Sequence, residues 1–166
     1  MHIDDDHLYH GAAIAQIAEH KLFTAINAFK DADDVSRSAF RVNDDIAVYF
    51  KYATKPKRPF DEFVFTFTSE NLDELSRIAD IVPKTYLALV CVEARHICCL
   101  PYEKLTMLLK RREADIGYEE DQYTVLVTME EGKSFRVYMN KSGRRKVVLG
   151  KPVVVSRNKF PAEIFK

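Results

Sequence analysis

The hydrophobic period changes several times along the chain, and each change marks an element. In residues 7–21, HLYHGAAIAQIAEHK, the apolar positions Ile14, Ile17 and Ala18 recur at i, i+3 and i+4. That is one face of a helix, and the surrounding alanines suit close packing on a sheet. Residues 23–27 either extend this helix or begin a short strand, and KDADDVSRS (30–38) reads as a polar connection. From Ser38 the period becomes two. SAFRVN and IAVYFKYAT flank Asn43, Asp44 and Asp45, which are turn residues at hairpin length. TKPKRP breaks the pattern with two prolines. In FDEFVFTFT, Phe63, Phe65 and Phe67 alternate with Val64 and Thr66. This predicts a third antiparallel strand with an aromatic face inward.

Ser69 is placed to cap a second helix whose stripe is Leu72, Leu75 and Ala79. TYLALVCV (85–92) is apolar almost throughout, as expected of a central strand covered on both faces. HICCL (96–100) pairs back across residues 93–95, and Pro101 opens a third helix through Arg112. EADIGYEED (113–121) reads as a hydrophilic joint. Beyond it, QYTVLVTM, KSFRVYM and RKVVLGKPVVV form a small antiparallel meander, and Phe160, Ile164 and Phe165 tuck onto the body. The expected architecture is therefore α/β (α+β). A mixed β-sheet is flanked by helices in the order helix-β-β-β-helix-β-β-helix, with a C-terminal antiparallel meander. The corresponding division is a core at 1–112, a joint at 113–121, and a meander appendage with tail at 122–166.

Composition narrows the functional classes. The 166 residues carry 25 basic and 25 acidic side chains, so a site for a polyanion has to be a local patch. No apolar run is long enough for a membrane span. The acidic start, MHIDDDHLYH, lacks the order of a secretion signal. Three cysteines, Cys91, Cys98 and Cys99, with no such signal suggest reduced thiols and a cytoplasmic setting. Phosphate-binding glycine loops and the zincin and nucleophile-elbow motifs are absent. His96 and Cys98 share a strand face, yet no second His or Cys pair stands near them in sequence, so core packing is the expected role of the cysteines.

Two basic segments stand out. Lys51, Lys55, Lys57 and Arg58 are interleaved with Tyr49, Tyr52 and two prolines. Lys141, Arg144, Arg145 and Lys146 surround a glycine turn. Both suit phosphate contact to DNA or RNA, and both equally suit solvated hairpin tips.

The order of elements over residues 7–112, with FKYATK after the hairpin and ALVCV and CLPYEKL beyond it, resembles the PD-(D/E)xK nuclease superfamily. The likeness is nearest to its homing-endonuclease and Holliday-junction-resolvase branch. The resemblance implies a restriction-endonuclease-like core, Mg²⁺-dependent phosphodiester hydrolysis where the site is complete, and Lys51 as the motif lysine. It makes Glu19 the helix acid, with Asp45, or its neighbour Asp44, as a second metal ligand. In such a site carboxylates hold Mg²⁺ at the phosphate, and the lysine orients water and stabilises developing charge. The chain departs from the pattern two residues before Lys51, where Tyr49 takes the place of the acid. A diverged domain that contacts nucleic acid, and a non-catalytic protein-interaction or homo-oligomerisation module, are the two functional expectations. The pleat sharpens the question, because Val48 and Phe50 share one face of the strand while Tyr49 and Lys51 share the other.

Overall fold

The structure, a computed structural model, describes residues 1–31 and 34–166. Helix α1 (Asp5–Ala18) begins at a reciprocal cap, in which the Asp4 side chain accepts from the His7 amide and the His7 ring from the Asp4 amide. This cap starts the helix ahead of the expected residue 7, and Asp5 and Asp6 then meet the positive end of its dipole. Three strands follow, β1 (Ile26–Asp31), β2 (Asp34–Val42) and β3 (Ile46–Ala53). The segment expected as a polar connection thus supplies the end of β1 and the start of β2, while Ala32 and Asp33 lie outside the described residues. The first residues of β2 are largely exposed, so strand pairing with β1 holds them and no apolar pattern announces it.

Strand β4 (Phe63–Thr68) leads into α2 (Ser69–Ile81), where Thr68, one residue before the expected Ser69, forms the cap with Asn71. Strands β5 (Lys84–Cys91) and β6 (His96–Pro101) precede α3 (Tyr102–Ile116). Gly117, at φ 87°, ends that helix in the left-handed region, so the first residues of the expected joint are helical. Strands β7 (Gln122–Thr128), β8 (Phe135–Tyr138) and β9 (Val153–Val155) complete the sheet elements, with a short 3₁₀ turn at Ala162–Phe165.

The architecture is α+β. A mixed five-stranded sheet runs β1-β2-β3-β5-β6, with β3 and β5 parallel and the other neighbours antiparallel. A four-stranded antiparallel sheet runs β4-β7-β8-β9. The third strand expected in the hairpin sheet is therefore displaced. β4 pairs with β7 from Phe63 opposite Val127 to Thr68 opposite Gln122. Alternation reports that one face is buried but says nothing about which strand lies alongside.

Two apolar layers result. One face of the five-stranded sheet, including Val48, Phe50, Ala88 and Val90, is covered by Ala13 and Ile17 of α1 and by Phe160 and Ile164 of the tail. The other face, including Ala47, Tyr49, Leu87 and Leu89, packs on α2, α3 and the inner face of the second sheet. The three cysteines are buried free thiols, Cys91 and Cys98 in the second layer and Cys99 in the first. Burial pushes Cys91 and Cys99 up to about 12, which suits inert core residues. No helix among the described residues is long and apolar enough to cross a membrane.

Because β4 has β7 as its strand partner and Phe63, Phe65 and Phe67 share a core with Tyr123, Val125 and Val127, residues 1–117 lack the cover they need. A chain truncated after Gly117 is expected to lose cooperative thermal unfolding, measured by circular dichroism, whereas the full chain unfolds in one transition.

Candidate nucleic-acid interface

Lys51 lies near the end of β3 on the face that meets the second sheet. Its Nζ donates to the Thr66 carbonyl at 2.5 Å and sits 4.9 Å from the centre of the Phe67 ring. Burial holds its ammonium below the ordinary lysine value. Tyr49, two residues earlier, is buried, with its hydroxyl close to Ser38 and Asn71. Burial, aided by the Glu74 charge, pushes that phenol up to about 12, so it supplies no anion for a metal.

The acids assigned with Lys51 do not join it. Asp45 is exposed at the start of β3 and faces Lys84 at 3.7 Å. Six residues of strand separate it from Lys51, roughly 20 Å at 3.3 Å per residue. Glu19 is exposed at the far end of α1, and α1 covers the opposite face of the sheet. The set Lys51, Glu19 and Asp45 is therefore dispersed. The pleat that buries Phe50 under α1 turns Lys51 towards β4, and Asp45 serves the turn. The helix acid that does come near Lys51 is Asp6. Beyond Tyr49, β2 no longer pairs with β3, and a hollow of about 330 Å³ opens there, lined by Asp6, His10, Ser38, Lys51 and Thr66. Among the described residues no three His, Cys, Asp or Glu side chains cluster as metal ligands.

The two basic segments, in contrast, meet. On the outer face of the second sheet a cleft of about 680 Å³ is rimmed by Lys57 from the β3–β4 loop and by Lys141, Arg144 and Arg145 from the β8–β9 loop. The pairing of β4 with β7, and of β7 with β8, brings these loops to one place. None of the four cations has an ion-pair partner among the described residues. Lys55 and Arg58 stay outside the lining, and Arg58 pairs with Asp61 at 3.1 Å.

The cleft's two acids are already engaged. Glu120 takes both ends of the Arg112 guanidinium, at 2.8 and 2.9 Å, and that contact holds its carboxyl below the usual range. Arg112 also donates to the Asn140 carbonyl at 2.9 Å, tying the β8–β9 loop to α3. Glu62 is 6% exposed and accepts from the Tyr138 hydroxyl, and Lys146 Nζ lies 3.1 Å from the same oxygen. Burial, reinforced by Glu62, pushes the Tyr138 phenol up and keeps it protonated. Lys146 reaches this position with φ 63°, a left-handed backbone that costs about 1 kcal/mol or more outside glycine. Lys146 and Arg145 also flank the Phe60 ring, at 5.7 and 5.8 Å from its centre. The unneutralised charge at the rim therefore belongs to the four cations. Glu62, Arg112, Glu120, Tyr138 and Asn140 went unmarked in the sequence, where nothing in their spacing links them. α3 and the segment after it bring Arg112 and Glu120, and the strand pairings bring Glu62, Tyr138 and Asn140, to the neighbourhood of the cleft.

The chain matches no family model, no curated protein and no solved structure in the comparisons made.

His10 supplies a pH dependence at the Lys51 hollow. It is 5% exposed against Phe50 and Tyr52, and burial holds it below the ordinary value of 6.5. Asp6 on its own helix and Asp4 at that helix's cap oppose the shift, and Lys51 on β3 reinforces it. The folded state therefore binds fewer protons than the unfolded state below about pH 6.5, and stability is lost as pH falls through that value, levelling off below the folded pKa. Urea denaturation between about pH 7 and 5 is expected to show this slope, and His10→Gln is expected to flatten it.

Proposed function

We propose that the protein is a diverged PD-(D/E)xK-like domain that contacts DNA or RNA through the cleft on its second sheet. The Lys51 hollow acts in this reading as a packed structural position without phosphodiester hydrolysis. The observation that carries the reading is the convergence of Lys57 with Lys141, Arg144 and Arg145, all without ion-pair partners among the described residues, in a chain of zero net charge. Surface charges normally intermix, and unpaired cations around one concavity attract a ligand that brings its own negative charge. Phosphates do so at regular spacing, and binding releases their condensed counterions. Within this reading Lys51 has no phosphate to meet, because its ammonium is spent on the Thr66 carbonyl and the Phe67 ring. A protein-interaction or homo-oligomerisation module would leave the rim cations without such a role.

Affinity for a labelled oligonucleotide, measured by fluorescence anisotropy across salt concentrations, tests this. Four phosphate contacts predict a log–log slope of about −3 on a single strand. The combined variant Lys57→Ala, Arg144→Ala, Arg145→Ala is expected to weaken binding and reduce the slope's magnitude by about 2, and Lys51→Ala to leave both unchanged. No binding, or loss of binding in Lys51→Ala alone, contradicts the reading.

A further inference from the structure

The rim cations suit a phosphate backbone but leave the inside of the cleft without a role. Its floor is apolar at Val64 and Leu126, which project from the outer face of the second sheet. Two amide side chains, Gln122 and Asn140, stand in the same lining. The Asn140 Oδ1 is buried and accepts no hydrogen bond among the described residues. A buried acceptor without a donor costs free energy, which Asn140 would recover by turning its amide from this position into the cleft to meet an incoming N–H. The polar groups around it offer no substitute, because Arg112 is committed to Glu120 and to the Asn140 main chain.

Cationic rim, apolar floor and an amide lacking a donor together match the parts of a nucleotide. Phosphate meets the rim, the face of the base lies on the apolar floor, and the hydrogen-bonding edge of the base meets the amide, which pairs well with base edges. A duplex presents its base edges only inside its grooves and keeps the base faces stacked. A concavity of about 680 Å³ is of the size that takes one small ligand unit.

We propose that this cleft binds a single unstacked nucleotide unit. Asn140, with Gln122 beside it, reads the base edge, Val64 and Leu126 support the base face, and Lys57, Arg144 and Arg145 meet its phosphate and, on a strand, the flanking ones. This rests on the nucleic-acid reading above and specifies the form of nucleic acid. The unit comes either from a single strand or from a free nucleotide, which share this chemistry.

The test uses the full chain and three probes of one sequence. They are a labelled single strand of about twelve nucleotides, the same strand annealed to its complement, and a free nucleoside monophosphate as competitor. The single strand is expected to bind at least tenfold more tightly than the duplex. Asn140→Ala is expected to weaken single-strand binding about tenfold with the salt slope unchanged, as befits a base contact. Gln122→Ala, at an exposed position that leaves the fold undisturbed, is expected to weaken it in the same way by a smaller factor. Displacement by the free monophosphate assigns the site to free nucleotides, and its failure to displace a bound strand assigns it to strands. Equal affinity for strand and duplex overturns the inference while the nucleic-acid reading stands, as does full binding in both amide variants. Absence of binding to all three probes overturns both.

Discussion

The antiparallel register of β4 with β7 is the constraint on which the rest of the molecule depends. Six consecutive residue pairs, Phe63 opposite Val127 through Thr68 opposite Gln122, draw β4 out of the sheet that its neighbours in sequence form. With that pairing, Phe63, Phe65 and Phe67 point into the shared core, and Val64 and Thr66 point outward. It also fixes the β3–β4 loop beside the β8–β9 loop, so that Lys57 meets Lys141, Arg144 and Arg145. The same strand supplies the Thr66 carbonyl that captures Lys51. One pairing therefore both assembles the cationic cleft and occupies the lysine.

The electrostatics divide along the same line. Near Lys51, charge is suppressed, since burial disfavours its ammonium, keeps the Tyr49 phenol neutral and lowers His10. In the cleft, Glu120 is held by Arg112 and Glu62 by Tyr138, and the cations at the rim have no ion-pair partner among the described residues. The first region has the character of an interior, and the second that of a surface carrying unpaired positive charge among the described residues. Lys146, in the β8–β9 loop, meets the Phe60 ring of the β3–β4 loop and the Tyr138 hydroxyl of β8 from a left-handed backbone, a conformation that these contacts hold in place.

Much of the fold was legible in the sequence, because burial leaves a period. The β-type run at 46–53, the alternation at 63–67, the apolar run of β5 and the leucines of α3 each marked an element of the right type. What escaped was partnership. The start of β2 is exposed, so its pairing with β1 had no apolar trace, and the three phenylalanines of β4 would read alike in either sheet. The site was legible only in part for the same reason. Two basic segments were visible, but their meeting depends on β4 and β7, and the acid that comes near Lys51 is Asp6 rather than Glu19. A strand's pleat showed that Lys51 faces away from Phe50, but which layer covered that face was decided by residues far along the chain.

The central claim is one of location, and amide chemical-shift mapping of the ¹⁵N-labelled full chain with a single-stranded oligonucleotide tests it most directly. The account predicts that shifts concentrate in residues 57–62, 122–126 and 140–146 and leave the amides around Lys51, Glu19 and Asp45 in place. Shifts centred on the Lys51 hollow, or on the exposed face of α1, would contradict it.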